Sequence, residues 1–474
     1  MYDFRSAQPH YIAALEDLAE VLAPRENHLS HNGFITGFSI DSRTLKKGEV
    51  FVAIPGTRVD GHRFVDQALS NGAAACLVSS LEGIEQPANC LLVEDTVRAL
   101  GYLAACHRRA CQTKLIGLTG SVGKTTTKEI LHTLLSVSFK TRKTQGNFNN
   151  TIGLPLELLK LEREDEWMVA EMGMSTPGEI RQLSQMAAPD IGLWLSVQAV
   201  HLVNFNHLED IARAKAELLE GLEPGKTLVY NLDDPLVHEH CRNFPGRRVT
   251  YGFFHPEADI KARVEPFPTW KGTHFEIDIP EEPHCQLFLP LTGRFNVRNA
   301  LAACTTALTA GLSGNELSYG LKMVEAREGR SFLHLLAENI QLVDDCYNAN
   351  PYAVFHVLRC FAPLAPGHYR WLILGDMLEL GAGEADIHWE MGKTIGGYGF
   401  DRVTLVGALS QHTRDGLLET KPPQCSLEHF DTVEHALAGM SFTAPPHARI
   451  WCKASRAIHL EQLVEQLKNQ LSET

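Results

Sequence analysis

Short apolar runs punctuate this chain, and stretches of helical spacing lie between them. Runs at 75–78, 114–118, 167–170, 191–197 and 227–230 read as buried strands. A second series stands at 340–343, 371–374, 402–406 and 448–452. Between them, 65–72 reads as a helix. After residue 124, Ile130, Leu131, Leu134 and Leu135 recur at helix spacing. The stretch 209–222 puts Ile211, Ala212, Ala216, Leu218, Leu219 and Leu222 on one face, and 460–471 predicts a closing helix. Strands alternating with helices predict an α/β fold, with mostly parallel sheets covered on both faces. From 253 to 291 the chain turns Pro-rich with strand-like pieces, which predicts a small β excursion. Three blocks follow, at 1–112, 113–312 and 313–474, and the last reads as a second doubly wound, Rossmann-like unit.

Composition narrows the partners. A length of 474 residues suits about three domains, and 44% hydrophobic content can fill their cores. The formal net charge is −14 and no long basic run occurs, which excludes nucleic acid or an anionic membrane surface as the main partner. An anionic substrate therefore needs a local basic pocket. The longest apolar stretch, 191–203, is interrupted by Ser196, Gln198 and His201, so no membrane insertion is expected. The first residues carry Asp3, Glu16, Asp17 and Glu20 rather than a signal-peptide core. Eleven cysteines without a CxxC pair read as reduced thiols, which predicts a cytoplasmic protein.

The chemistry concentrates in the second block. A predicted strand leads into Thr119-Gly120-Ser121-Val122-Gly123-Lys124-Thr125-Thr126-Thr127, and a predicted helix leaves it. Glycines let backbone N–H groups approach phosphate oxygens, and a helix N-terminus favours their charge. Lys124 would then reach the β/γ-phosphates and Thr125 would hold Mg²⁺. Leu118 stands where the standard pattern has its first Gly, which leaves an ordinary glycine turn as the alternative. Glu171 ends a predicted strand, where a carboxylate is either a second Mg²⁺ ligand or a solvated strand-end acid. His201 follows the 191–197 run and is a metal ligand or a satisfied structural histidine. Lys215 sits mid-stripe on the 209–222 helix, where a lysine either snorkels to water or is a buried amine with a lowered pKa. A neutral amine of that kind can add CO₂ to give a metal-ligating carbamate. Asn147, Asn149 and Asn150 crowd one loop more densely than a turn requires.

Taken in order, these motifs resemble the Mur ligase family nearly end to end. Asp41-Ser42-Arg43, Gly48 and Asp60-Gly61-His62 are similar to the family's UDP-sugar domain. The short TGSVGKTTTKE loop resembles the family's own version, as do GNFNNTIGLPLELL, EMG with GEI, and HL…IARAKAE. Asn231-Leu-Asp233-Asp234, Gly293-Arg-Phe-Asn296-Val-Arg-Asn299, DDCYNANP at 344–351, Leu374-Gly-Asp-Met377 and Lys453-Ala-Ser-Arg456 follow in order. Phe295, Cys346 and Ala454 depart from the usual His, Ser and Gly.

The resemblance implies three domains: an N-terminal UDP-sugar-binding α/β domain, a central phosphate-loop ATPase domain and a C-terminal acceptor domain. It implies an ATP- and Mg²⁺-dependent amide ligase, acting as a monomer. Its partners would be UDP-N-acetylmuramoyl-tripeptide and D-alanyl-D-alanine. Lys124, Glu171, His201 and Lys215 form the implied catalytic set, with Lys215 carbamylated. Thr125, Glu171, His201 and Lys215 serve the metal. Gly120, Ser121, Val122, Gly123, Lys124, Thr125 and Thr126 surround the ATP phosphates. Asn296 contacts adenine, while Arg330 and Asp345 bind the nucleotide from across a cleft. Ser42, Arg43, Asn147, Asn149 and Asn150 serve the UDP-linked substrate. Asn348, Asn350, Lys453, Ser455 and Arg456 face the acceptor. A ligase adding a different amino acid, or a folylpolyglutamate synthase-like ligase, would share the middle block. The Asp41-Ser42-Arg43 and DDCYNANP segments speak against both. A non-catalytic nucleotide-binding module would not need the metal set.

Overall fold

The computed structural model describes residues 13–472 except 31, 57–58, 199–204, 206, 265–268, 270, 281 and 365–366. Three large sheets carry the chain. The first has five strands in the order Glu26–Asn27, Cys90–Leu92, Ala75–Val78, Glu49–Val52 and Gly37–Ser39, parallel apart from the Glu26–Asn27 edge. The central sheet has nine strands, with Lys114–Thr119 between Ile191–Trp194 and Trp167–Glu171, all three parallel. The third sheet has six strands, and only its Phe332–Leu335 edge is antiparallel.

The central strands are buried on both faces, which is why they read as unbroken apolar runs. Leu115, Met168 and Trp194 pack into one apolar cluster; Ile116, Val169 and Leu193 pack into another on the opposite face. The expected β excursion is an extension of this same sheet. Ile260–Val264 pairs parallel to Arg247–Gly252, then Thr273–Ile279 and Glu282–Leu289 add as antiparallel strands.

The first sheet and the central sheet share one core. Leu77 and Leu91 of the first, Leu100 and Leu103 of the helix Thr96–Ala110, and Leu115 and Met168 of the second lie in a single cluster. Polar contacts lock that helix in place. Thr96 Oγ1 donates to Ala53 O at 2.7 Å, and Arg108 Nε donates to Ala187 O at 2.9 Å. Arg108 also pairs with Asp190 at 3.1 Å, and Asp190 takes Lys226 at 2.7 Å. Past the central sheet, the helix Gly314–Lys322 buries Leu317 and Leu321 in the central core before the third sheet begins.

Two expected elements end early. The helix expected over 209–222 is α-helical over Leu208–Ala216 and tightens to a 3₁₀ turn over Glu217–Gly221. There the Glu217 carboxylate accepts from the Gly178 and Arg181 amides at 2.9 and 3.1 Å, and Gly221 abuts the Ser184 backbone. The strand expected to reach 197 stops at Trp194. Beyond it, Ser196 O accepts from Ser121 N at 2.9 Å and Val197 N donates to Asp234 Oδ2 at 2.8 Å, so this backbone serves a loop and a side chain instead of a ladder. Among the described residues no helix is long and apolar enough to cross a membrane.

The helix Thr96–Ala110 starts on a conventional N-cap: Asp95 accepts from Val97 N at 2.8 Å and Arg98 N at 3.0 Å. Asp95→Ala should cost about 1 kcal/mol of stability, and Asp95→Asn much less. Urea unfolding midpoints check this; equal midpoints for the parent and Asp95→Ala would remove the cap from the account.

Candidate functional site

The strand Lys114–Thr119 ends in the glycine loop, and the helix Lys124–Leu135 begins at Lys124. Gly123 makes the turn with φ +84°, and a Cβ there would lie 2.2 Å from Asn299 Oδ1, so no other residue fits. The loop is fastened beneath by Ser121, whose Oγ donates to Gln198 O at 3.1 Å and accepts from Gln198 N at 2.9 Å. Leu118, at the position of the missing glycine, is fully buried strand, so the turn needs no glycine there.

The loop opens onto a cavity of about 660 Å³ between the central and third sheets. Ser121, Val122, Gly123, Lys124, Thr125 and Thr126 line one side. Asn147, Asn149, Glu171 and Asn296 also line it from the central block. Arg330, Asp345, Asn348, Asn350 and Lys453 close it from the third.

Glu171 is the buried acid of the site. Its Oε1 accepts from Asn149 Nδ2 at 2.9 Å and Thr125 Oγ1 at 3.2 Å, and its Oε2 lies 3.2 Å from the Lys128 ammonium. Burial pushes the carboxyl up, but Lys128 and Lys124 outweigh it and hold the group below its ordinary value. Two more lysines converge on one carbonyl: Lys124 Nζ donates to Gly120 O at 2.8 Å and Lys215 Nζ to the same oxygen at 3.1 Å. Burial, with Lys124 nearby, drives the Lys215 amine well below its usual range. Burial and Arg330 lower Lys124 against the pull of Glu171. Lys215 is 2% exposed, so it does not snorkel.

Thr125 Oγ1 and Glu171 Oε1 are hard oxygen donors at hydrogen-bonding distance beside a phosphate loop. Such a pair suits Mg²⁺, which takes one or two protein oxygens and fills its shell with phosphate and water. No cluster of three His, Cys, Asp or Glu side chains occurs among the described residues. His201 lies outside the described residues.

From the third block, Arg330 Nη2 donates to Thr125 Oγ1 at 3.1 Å while its guanidinium sits 4.0 Å above the Tyr347 ring. Lys453 pairs with Asp345 at 2.7 Å and donates to Asn348 O at 3.0 Å. Asn296 Nδ2 donates to Thr292 O at 2.9 Å, which fixes the carboxamide.

Other expected residues lie apart from this cavity wall. Ser42 Oγ donates to Gln67 Oε1 at 2.8 Å and Arg43 pairs with Asp41 at 2.7 Å, both in the first block. Asn150 Oδ1 accepts from Gly153 N at 2.8 Å, the local role of a turn former. Ser455 ties Ala349 O to Leu378 N, and the exposed Arg456 pairs with Glu461 at 3.3 Å. Gly120 contributes its carbonyl to the two lysines rather than lining the cavity. Of the three departures, Phe295 lines the cavity, Cys346 is buried behind it, and the Ala454 methyl fits over Gly375, where a Cβ would lie 2.7 Å away. Sequence reasoning missed Lys128 and Asn299. Both stand in quoted motifs, but only the fold turns Lys128 inward and sets Asn299 against Gly123.

Comparison with known proteins accounts for this arrangement. Residues 34–108 match the description "Mur ligase family, catalytic domain", 118–307 "Mur ligase middle domain" and 329–456 "Mur ligase, glutamate ligase domain". The chain belongs to the Mur ligase family. It is 34% identical to the UDP-N-acetylmuramoyl-tripeptide–D-alanyl-D-alanine ligase of Bacillus subtilis, over 91% of this chain and 93% of the relative. To the same-named Escherichia coli protein it is 38% identical, over 78% and 81%. The crystal structure of MurF from Acinetobacter baumannii superposes with a TM-score of 0.86 at 28% identity, covering 95% of this chain and 98% of that one. MurF from Thermotoga maritima, in complex with ADP, gives 0.81 at 27%, covering 92% and 98%.

The buried Lys215 has a signature in stability. Its folded pKa lies below its unfolded one, so across that interval the unfolded chain binds more protons and stability rises with pH. Lys215→Met should therefore be more stable than the parent at pH 7 in CO₂-free buffer. The difference should shrink as pH climbs toward 10, by about 1.4 kcal/mol per unit for one proton. Denaturant midpoints across that range check it; a constant difference would mean that Lys215 stays charged when folded.

Proposed function

We propose that this chain joins D-alanyl-D-alanine to UDP-N-acetylmuramoyl-tripeptide at the expense of ATP, in peptidoglycan precursor synthesis. One observation carries the reading. A single cavity sets the phosphate loop with its buried Glu171 against Arg330, Asn348 and Lys453 of another block, as a three-substrate ligation requires. The terminal carboxylate of the UDP-peptide attacks the γ-phosphorus of ATP, forming an acyl phosphate and releasing ADP. The amine of D-alanyl-D-alanine then attacks the carbonyl, loses a proton and expels phosphate.

Phosphoryl transfer asks for positioning and charge stabilisation more than covalent help. Lys124 and Arg330 bring cations to the phosphates from opposite walls. Asn149 and Lys128 orient Glu171. The fixed Asn296 carboxamide would contact the base, and Asn348 with Asn350 would serve the acceptor side. Magnesium, held by Thr125 and Glu171 with His201 as a further ligand, would offset the charge between phosphate and carboxylate. Lys215 is the carbamylation site in this reading, since a buried amine of lowered pKa is the form that adds CO₂. The division of labour follows the sheets: UDP-sugar on the first, ATP on the second, acceptor on the third.

ADP release from UDP-tripeptides containing diaminopimelate or lysine, with and without D-alanyl-D-alanine, tests the reaction. Turnover should require the dipeptide. Lys124→Ala should lower kcat at least ~10²-fold, the usual cost of removing a preorganised charge partner. Turnover with a single amino acid in place of the dipeptide would overturn the substrate assignment.

For Lys215, both Lys215→Ala and Lys215→Arg should be inactive. Short carboxylic acids should partly restore Lys215→Ala by supplying the missing anion. Near-parental ligation by Lys215→Arg would rule out the carbamate.

A further inference from the structure

Part of the same cavity's wall carries positive charge that the proposed reaction does not use. Arg298, His356 and Tyr352 line it there. Arg294 and Arg298 stand one helical turn apart on Arg294–Ala310, and Arg359 lies on the facing helix Pro351–Leu364 of the third block. The two helices meet near the start of the first, where a Cβ on its cap residue Gly293 would lie 2.7 Å from Cys360 Sγ. Arg298 crosses the join, and contacts continue along the third-block helix. Arg298 Nη1 donates to Tyr352 Oη at 2.9 Å, the Tyr352 and His356 rings lie 4.3 Å apart, and Arg359 sits 5.6 Å from the Phe355 ring.

The arginines are held in place by aromatic rings. Arg294 lies 5.2 and 4.8 Å from the Phe253 and Phe254 rings, and Arg298 lies 5.9 Å from each. Among the described residues none of the three has a carboxylate within ion-pair distance. Asp233, the acid that acts on Arg294, is occupied by the backbone amides of Phe253, Phe254 and His255 at 2.6, 3.0 and 2.9 Å. Burial, then Arg298, Arg359 and Arg294, push His356 down to about 4, so the ring is neutral at pH 7. In a chain of net charge −14, exposed Arg294 and Arg359 flank the half-buried, cavity-lining Arg298 and concentrate positive charge there. Guanidinium forks match phosphate oxygens bidentately, and an anion would turn their mutual repulsion into charge-assisted hydrogen bonds.

We propose that Arg294, Arg298, Arg359 and His356 form a second anion site, distinct from the phosphate loop, that takes a pyrophosphate-class group. Its residues come from two blocks, so an occupant draws the helices Arg294–Ala310 and Pro351–Leu364 together. The group is either a free ion or a phosphate carried on the ribose of a nucleotide.

Calorimetry separates these sources without any turnover. In the first arm, sodium pyrophosphate is titrated into protein saturated with ADP, so that the phosphate loop is filled. In the second, adenosine 3′-phosphate 5′-diphosphate is compared with ADP. The parent should bind pyrophosphate in the first arm, or should prefer the 3′-phosphorylated nucleotide at least tenfold in the second. In either case, the Arg294→Gln/Arg359→Gln double variant should lose at least tenfold of that affinity and keep its affinity for ADP. Histidine-labelled protein, with His356 assigned through His356→Gln, should show that ring proton shifting on binding and its titration moving upward as the anion offsets the arginines. Affinities in both arms that match between the parent and the double variant would overturn the proposal, as would an unmoved His356 signal.

Discussion

Everything at the centre of this molecule depends on one buried carboxylate among three lysines. Glu171 is 2% exposed at the end of the central strand Trp167–Glu171. Lys128 is fully buried against it, Lys215 is buried behind the loop, and Lys124 reaches over the Gly120 carbonyl. Burying an ion without a partner is costly, and although Glu129 also lies 3.7 Å from Lys128, Glu171 is left to face Lys124 as well. The protein resolves the excess in two ways. It lowers the proton affinity of Lys215, and it keeps a cavity in front of Lys124 for an anionic ligand. The site's electrostatics, and not only the shape of the loop, thus favour a phosphate.

The same helix that presents Lys124 also connects the blocks. Glu129, next to Lys128, accepts Lys143 from its own block and Arg327 from the segment leading into the third sheet. Arg330, on that same segment, reaches Thr125. Ser138, just beyond the helix, hydrogen-bonds Glu316 of the helix Gly314–Lys322. Movement of the third block is therefore felt at the phosphate loop through side chains on a single helix. The first block is bound differently. Its sheet and the central sheet share one apolar cluster through the helix Thr96–Ala110, an arrangement that resists relative motion more than a polar interface does.

Much of this was legible in the sequence. The strand runs at 75–78 and 402–406 coincide with observed strands, and those at 114–118 and 167–170 fall one residue short. Such runs are readable because a parallel strand covered on both faces must be apolar throughout. The glycine loop, Glu171 at a strand end and Lys215 in an apolar stripe were also visible, since each is a local pattern with a chemical meaning. The choice between a snorkelling and a buried Lys215 was not.

That choice depends on what lies opposite the side chain, which spacing along one helix cannot specify. Gly120, 95 positions away in the chain, supplies the carbonyl that receives Lys215. Nothing in the sequence singled out Lys128, and only the packing of Lys124–Leu135 against the central sheet turns it to Glu171. Ser455 and Asn150 sit in motifs like their neighbours, yet both side chains are engaged with backbone, Asn150 locally at Gly153 and Ser455 at the distant Ala349 and Leu378. The alternation of apolar and polar residues determined the strands, the helices and the phosphate loop, because those follow from local sterics and burial. Tertiary structure alone decided which lysine meets the carboxylate and which arginines gather unpaired, because charge pairing is set by proximity in space between residues far apart in the chain.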